Sequence, residues 1–373
     1  MSQWIKTKLG EIVILNYGKA LKAQDRNAGS IPVYSSGGLT GWHNKALINE
    51  QGIIIGRKGT VGKAYLTYGP FWCIDTAYYI LPNPSKYDFV FLFYLLKTLG
   101  LEELNEDSAV PGLNRDTAYS QEILLPSLPE QKAIASVLSS LDDKIDLLHH
   151  QNKTLELMAE TMFRQWFILD ETGASVNLEQ IIDFNPKRTL TKSQDATYLD
   201  MAGLSTDIFR ATGYYKRPFS SGTKFTKRDT LLARITPCLE NGKAAYVDFL
   251  DNNETGWGST EFIVMRPKKE IHPMISYIMC RNPDFKEYAE SCMEGSTGRQ
   301  RVNLDYLKKF NVNLPTGASL RKINELLDSF ESKLINNSKQ IDSLEKLRNT
   351  LLPKLMSGEV RVQYAEDAIA SVA

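Results

Sequence analysis

Cysteine is scarce. Cys73, Cys238, Cys280 and Cys292 are the only four in 373 residues, and no two form a Cys-x-x-Cys pair. That scatter excludes a disulfide framework and offers no zinc motif, so buried, reduced thiols are expected. Histidine is equally sparse at four residues, which gives little support to a nucleophile and base pair. His149 and His150 fall on a helical stretch without the partners of a metal motif, so a solvated face is the reading and no metal site is expected. No apolar run approaches the roughly 18 residues of a membrane span, and Met-Ser-Gln-Trp-Ile-Lys at the start lacks a signal-peptide core. A cytoplasmic protein is expected. There is no excess of either charge, with 44 basic and 44 acidic residues; indiscriminate nucleic-acid binding is disfavoured, while local basic surfaces remain possible.

What the chain has is a repeat. Residues 131–167 and 320–355 share one heptad register and are related by a shift of 189 positions. Ile134, Leu138, Leu141, Ile145 and Leu155 recur at that shift as Ile323, Leu327, Phe330, Leu334 and Leu344, while Leu148 and Ile341 continue the two seams where the other copy has its asparagine, Asn337 and Asn152 respectively. Apolar residues alternately three and four apart give each helix one seam, and two seams in one chain can bury each other as a coiled coil. Each seam also holds one asparagine, Asn152 or Asn337. In an antiparallel pair with matched ends, Ile134 meets Leu355, Trp166 meets Ile323, and the two amides fall in one layer. A register that separates them costs about 1 to 3 kcal/mol per unpaired buried amide. The alternative places one or both at a wet edge of the seam, and Arg348 within it favours some water. From 134 to 166 the helix would be roughly 50 Å long, somewhat over one turn of duplex DNA at about 34 to 36 Å.

Ahead of each helix lies a globular stretch with the same order of elements. Strands are predicted at 52–55, 64–66 and 78–80, with counterparts at 230–233, 244–247 and 261–265. A helix follows at 88–104 or 273–292, then a polar loop, then a strand at 122–125 or 310–314 ending in Pro126 or Pro315. Near the start of the halves the shift is 169, so the second head has gained about twenty residues and its loops should differ. Boundaries are expected near Asp170 to Gly173, Pro126 and Pro315.

Gly56-Arg57-Lys58-Gly59-Thr60-Val61-Gly62-Lys63 fails as a P-loop, because Arg57 stands where the first glycine must be and Ala64 follows the lysine. Two readings remain. It is a glycine-rich strand connection with exposed cations, or a loop that brings Arg57, Lys58 and Lys63 to phosphates or guanine edges. Arg234 holds the matching place in the second half. Between Arg210 and Arg234 lie Lys216, Arg217, Lys224, Lys227 and Arg228, interleaved with Tyr214, Tyr215, Phe219 and Phe225, and with Asp229 the only acid. That is a nucleic-acid footprint by charge, although such a run is also what a solvated face looks like. Loops 108–115, with Arg115, and 295–301, with Arg299 and Arg301, are further candidates. Asn185-Pro186-Lys187 lacks the second proline and aromatic of an amino-methyltransferase box, and no glycine-rich cofactor fingerprint follows a strand.

Three segments carry a family likeness. Pro126-Ser-Leu-Pro-Glu-Gln-Lys-Ala-Ile134, Met162-Phe-Arg-Gln-Trp-Phe167 and Leu351-Leu-Pro-Lys-Leu-Met-Ser-Gly-Glu-Val360 resemble the specificity subunit of type I restriction-modification systems, and the likeness spans the whole chain. It departs at the second helix start, where Pro315 to Leu320 lacks the Glu-Gln. The resemblance implies an α+β fold with an internal pseudo-twofold repeat: two α/β target-recognition domains (1–126 and 170–315) separated by two long helices (127–169 and 316–373) that form an antiparallel coiled coil. It further implies that each head reads half of a bipartite DNA site, the helices set the gap, and two methyltransferase subunits and endonuclease-translocase subunits bind this chain. S-adenosylmethionine, ATP and magnesium would then belong to the partners, with no cofactor and no active site here. The competing reading is a non-catalytic coiled-coil scaffold whose heads bind proteins rather than DNA.

Overall fold

Runs such as Gly52-Ile-Ile-Ile-Gly56 are apolar on both pleat faces, which suits a central strand covered on both sides. In the computed structural model, which describes residues 4–104, 112–296 and 298–362, this strand is buried throughout. The chain divides into two units, residues 1–145 with 342–373 and residues 146–341. Each holds one head and part of each long helix.

The heads share a topology. In unit 1 one antiparallel sheet runs in the order Asn16–Tyr17, Ala77–Ile80, Gly52–Gly56, Ala64–Thr67; in unit 2 the order is Ile182–Phe184, Phe262–Pro267, Thr230–Ala233, Ala244–Tyr246. A second sheet, not foreseen from the strand pattern, repeats as well. It joins Gly38–His43, Ile31–Ser35 and Trp72–Cys73 in unit 1, and Tyr215–Pro218, Asp195–Leu199, Thr255–Gly258 and Thr223–Thr226 in unit 2. One parallel pairing recurs in each, Val33 with Trp72 and Tyr198 with Trp257. The inserted residues of the second head fall mainly between two antiparallel neighbours of this sheet. Ser36 and Gly37 suffice there in unit 1, and residues 200–214 replace them in unit 2.

The helix expected over 273–292 is two helices, Met274–Arg281 and Pro283–Ser291. Pro283 has no N–H and excludes the helical conformation at the residue before it, so Asn282 is extended and its side chain accepts from Phe285 N at 3.1 Å. The first-half helix is Phe89–Thr98, capped by Asp88.

The long helices run from Leu128–Phe163, continued by a π-helical turn over Arg164–Leu169, and from Gly317–Ser357. Within unit 1, Asp142 pairs with Arg348 at 2.7 Å and Glu130 with Arg361 at 3.6 Å. One number rises as the other falls, so the helices are antiparallel there. Within unit 2, Asn337 Nδ2 donates to Asn152 Oδ1 at 2.8 Å, and Asn313, just ahead of the second helix, donates to the Ile168 carbonyl beyond the first. These helices are antiparallel too. The seam residues Ile134, Leu138, Leu141, Ile145, Leu344, Leu351 and Leu355 are buried in unit 1, and Leu148, Ala159, Ile323, Leu327, Phe330, Leu334 and Ile341 in unit 2. Arg348 is not left to water in the seam, because Asp142 takes its guanidinium.

Asn337 is fully buried. Replacing Asn152 by leucine should cost about 1 to 3 kcal/mol through the orphaned amide, in the lower part of that range because Gln151 Oε1 lies 3.4 Å from the same donor. The double change with Asn337→Leu should recover most of the loss in denaturant melts. Simple additivity would remove the pairing from the account.

Buried polar residues fasten heads to helices. Gln131 is 1% exposed; its Oε1 accepts from Asp88 N at 2.8 Å and its Nε2 donates to the Pro126 carbonyl at 2.9 Å. The second helix has Leu320 at the equivalent place, and Asn324, one turn on, makes the same kind of bridge, accepting from His272 N and donating to the Glu270 carbonyl. Asp142 and Glu331 are related by the shift of 189, and each accepts a head tyrosine, Tyr94 at 2.6 Å or Tyr246 at 2.7 Å, together with an arginine.

Candidate nucleic-acid interface

In unit 1 the Gly56–Lys63 loop is a closed strand connection. Gly56 N donates to the Lys63 carbonyl and Gly62 N to the Gly56 carbonyl, at 2.9 and 2.8 Å. A Cβ at Gly56 would stand 1.9 Å from the Thr60 oxygen, and Gly62 has φ +74, so glycine is required at both for steric reasons. The loop presents Arg57. Its guanidinium lies 4.9 Å from the Tyr17 ring centre and 5.7 Å from that of Tyr78, and Nη1 donates to the Asp75 carbonyl at 3.1 Å. Arg115 approaches the same Tyr17 ring at 5.4 Å and Tyr119 at 5.9 Å. The two candidate loops therefore meet: Leu113 N donates to the Arg57 carbonyl at 2.8 Å, and Lys58 bridges to Gly112. Residues 108–111 of the second loop lie outside the described residues. Lys58 is exposed beside this cluster. Lys63 instead lines a cleft with Lys97, Glu102 and Glu103.

Unit 2 repeats the juxtaposition. Val302 N donates to the Arg234 carbonyl at 2.8 Å, and Thr236 N to the Gln300 carbonyl at 3.1 Å. The side chains are used differently. Arg301 lies against Glu261 in a bidentate pair, with contacts of 2.7 and 3.0 Å, which draws the Glu261 carboxyl below its usual range. Arg234 is half-buried and donates to the Val302 carbonyl at 3.4 Å. Arg299 is exposed, and Thr297 of this loop lies outside the described residues.

The basic run from 210 to 234 is sorted by its partners. Lys216 pairs with Glu254 at 2.5 Å, Arg210 with Asp248 at 3.1 Å, and Arg228 with Glu331. Those acids stand 38 to 103 positions away, which is why a local charge count missed them. Alternation along strands places Tyr215 and Arg217 on the same sheet face as Tyr198, Trp257 and Lys224. Arg217 lies 5.0 Å from the Tyr198 ring and 5.6 Å from Trp257, and Lys224 lies 4.8 Å from Phe219. This aromatic and basic face is the part of the run that the sheet gathers. The Lys227 carbonyl accepts from Arg266, and its side chain is half-exposed.

Arg228 has another employment. It donates to Glu331 and, at 3.3 Å, to Asp328, inside a group with His272 and Tyr246. His272, Asp328 and Glu331 bring ligand atoms within 4.8 Å of one another, a spacing a metal could use. The chain already supplies the positive charge. His272 Nδ1 accepts from Met274 N at 3.2 Å, and Nε2 lies 3.0 Å from Asp328 Oδ1 and 3.1 Å from Arg228 Nη2. Burial lowers the His272 pKa and keeps the ring neutral.

The long insertion of the second head is tied down by Arg281. It donates to the carbonyls of Thr206 at 2.7 Å, Ile208 at 3.0 Å and Gly242 at 2.8 Å, and to Tyr277 Oη at 3.0 Å. Tyr277 in turn donates to Glu156 on the first long helix. Among the described residues no helix is long and apolar enough to cross a membrane.

The sequence profile described as the type I restriction modification DNA specificity domain matches residues 1–157 and again residues 171–346. The chain is similar to the MjaIX type I restriction enzyme specificity subunit of Methanocaldococcus jannaschii, 27% identical over 309 residues that cover 73% of this chain and 69% of that protein. The EcoEI specificity subunit of Escherichia coli is 27% identical over 217 residues, 54% of this chain and 35% of the relative. Among solved structures the fold is like that of a type I restriction-modification S subunit from M. genitalium, with a TM-score of 0.63 at 20% identity, covering 95% of this chain and 96% of that one.

Proposed function

The chain belongs to the type I restriction-modification DNA specificity family, and on that premise we propose that each head reads one half of an interrupted site in duplex DNA while the paired long helices set the gap. The observation that carries this reading is the duplicated loop pair. Arg57 with residues 112–115, and Arg234 with residues 299–302, occupy the same place in two heads whose side chains there differ. Equivalent placement suits one mode of approach to DNA, and unlike side chains suit unlike half-sites. Lys58, Arg115, Arg217, Lys224, Lys227 and Arg299 are assigned to phosphates and bases. Lys216, Arg228 and Arg301 meet carboxylates of the chain first, and Lys63 faces a cleft that Glu102 and Glu103 also line.

A helix of 36 residues is roughly 54 Å long at about 1.5 Å per residue, enough for more than one turn of duplex at about 34 to 36 Å. Asn152 and Asn337 fix the register on which that length depends. Two methyltransferase subunits, and endonuclease-translocase subunits in a restricting complex, dock on this chain in the cytoplasm; exposed Leu147, Leu157 and Met158 on the first long helix supply apolar surface for such contact. The partners carry S-adenosylmethionine, ATP and magnesium, and this chain selects the address without chemistry of its own.

The test is a binding curve of the chain in complex with its methyltransferase. If six or more phosphates are contacted, affinity should fall about a thousandfold between roughly 50 and 200 mM salt. Adenine methylation mapped in a host carrying the complex should give two short half-sites with a fixed gap. Flat salt dependence would favour the protein-binding scaffold, and an uninterrupted site would contradict one head per half.

A further inference from the structure

We propose that Arg57 is the base-reading arginine of the first head and takes the O6 and N7 acceptors of a guanine, with Tyr17 as its platform and Arg115 gripping the adjacent phosphate. This rests on the reading that the heads bind duplex DNA. Three observations lead to it. Arg57 is held from three sides, by the Tyr17 ring, the Tyr78 ring and the Asp75 carbonyl. Its rotamer freedom is spent before any ligand arrives, and the remaining N–H donors lie in a fixed plane, the condition for bidentate recognition of a planar acceptor pair. Next, Arg57 and Arg115 flank one half-exposed ring, and neither meets a carboxylate at ion-pair distance among the described residues. Their mutual repulsion is offset by a ligand rich in acceptors and negative charge.

The matching place in the second head supplies the contrast. There Glu261 already fills the bidentate acceptor role for Arg301, so that head presents a neutralised pair and reads by other contacts. Arg115 differs from Arg57 in kind. It is exposed and has no backbone acceptor among the described residues, which suits a phosphate contact more than a base contact.

The experiment uses the methyltransferase complex and a duplex carrying its mapped site. Each guanine of the half-sites is replaced in turn by 7-deazaguanine, which removes the N7 acceptor. One position, in one half only, should cost the wild type about tenfold in affinity and should cost Arg57→Gln nothing further. Arg57→Lys, which keeps the charge and loses the fork, should retain non-specific binding and lose the same discrimination; it serves if the glutamine variant does not fold. Arg115→Gln should weaken all sequences alike and lower the salt slope by about one. Indifference of the wild type to 7-deazaguanine at every position would overturn the proposal. So would a uniform loss in both Arg57 variants with the specificity ratio unchanged. Salt-insensitive binding by the wild-type complex would instead bring down the underlying reading of the heads.

Discussion

Replacing Glu331 by alanine is expected to destabilise unit 2 by roughly 3 kcal/mol, at the low end of what breaking a buried ion pair costs. Glu331 is 7% exposed and accepts from Arg228 through both oxygens and from Tyr246 Oη at 2.7 Å. The alanine leaves the Tyr246 hydroxyl, on a residue with no exposure, without its acceptor. It leaves the Arg228 charge with the exposed Asp328, the Tyr246 hydroxyl at 3.4 Å and His272. Because the Arg228 side chain is 38% exposed, water recovers part of that charge, which is why the low end applies. The loss should spread beyond the local contact, since Glu331 lies on the second long helix while Arg228, Tyr246 and His272 belong to the head. Urea melts of the full chain measure it. A change under about 1 kcal/mol would mean the network contributes no more than a surface pair. Arg228→Leu combined with Glu331→Leu should lose much less than either single change, because replacing both members leaves no orphaned charge.

Glu156→Gln is expected to abolish most of the pH dependence of unit 2 stability between about pH 5 and 8. Burial raises the Glu156 carboxyl from an ordinary 4.5 to about 7, although Tyr277, Arg281, the Phe209 amide and Lys153 all pull it down. Glu160, one turn along the same helix, is also raised by burial. A carboxyl whose folded pKa exceeds its unfolded one binds a proton more tightly when folded. Its favourable contribution is complete below about pH 4 and is lost as the pH rises through about 7. At about 1.4 kcal/mol per unit, the wild type should lose on the order of 3 kcal/mol across that range. Glutamine keeps an acceptor for Phe209 N and a polar atom beside Tyr277 Oη, so the variant should melt higher than the wild type at pH 8 and near it at pH 5. The same pH slope in both proteins would exclude Glu156 as the titrating group. Because Glu156 meets both Phe209 and, through Tyr277, the Arg281 that holds the inserted loop, the slope would also report how firmly that loop is fastened to the helix.

The residues that escaped a reading of the sequence share one property: their meaning depends on partners far along the chain. Gln131 was visible as part of a motif, but its work as a bridge between the Asp88 amide and the Pro126 carbonyl required the head to be folded against the helix. Asn324 left no motif at all. Its position one turn beyond Leu320 could have been suspected only by asking what replaces the missing glutamine. The break at Asn282-Pro283 was legible in principle, because proline forbids the helix that the apolar spacing suggested. The second sheet of each head was missed because its strands are short and carry exposed aromatic and polar residues such as Trp42 and Tyr215, which blur the alternation.

Sequence alone determined the duplication and the heptad seams, because periodicity is local along a helix; it offered the pairing of Asn152 with Asn337 beside a wet-edge alternative, and the structure decided for the pair. The sequence also marked Arg57 and Arg234 as equivalent positions. Only the tertiary structure decided which cations are left for a ligand. Lys216, Arg228 and Arg301 read as DNA contacts in the sequence, and each meets a carboxylate brought to it by folding, Glu254, Glu331 and Glu261. Coulomb energy depends on distance in space, and the chain order carries no record of that distance until the strands and helices pack.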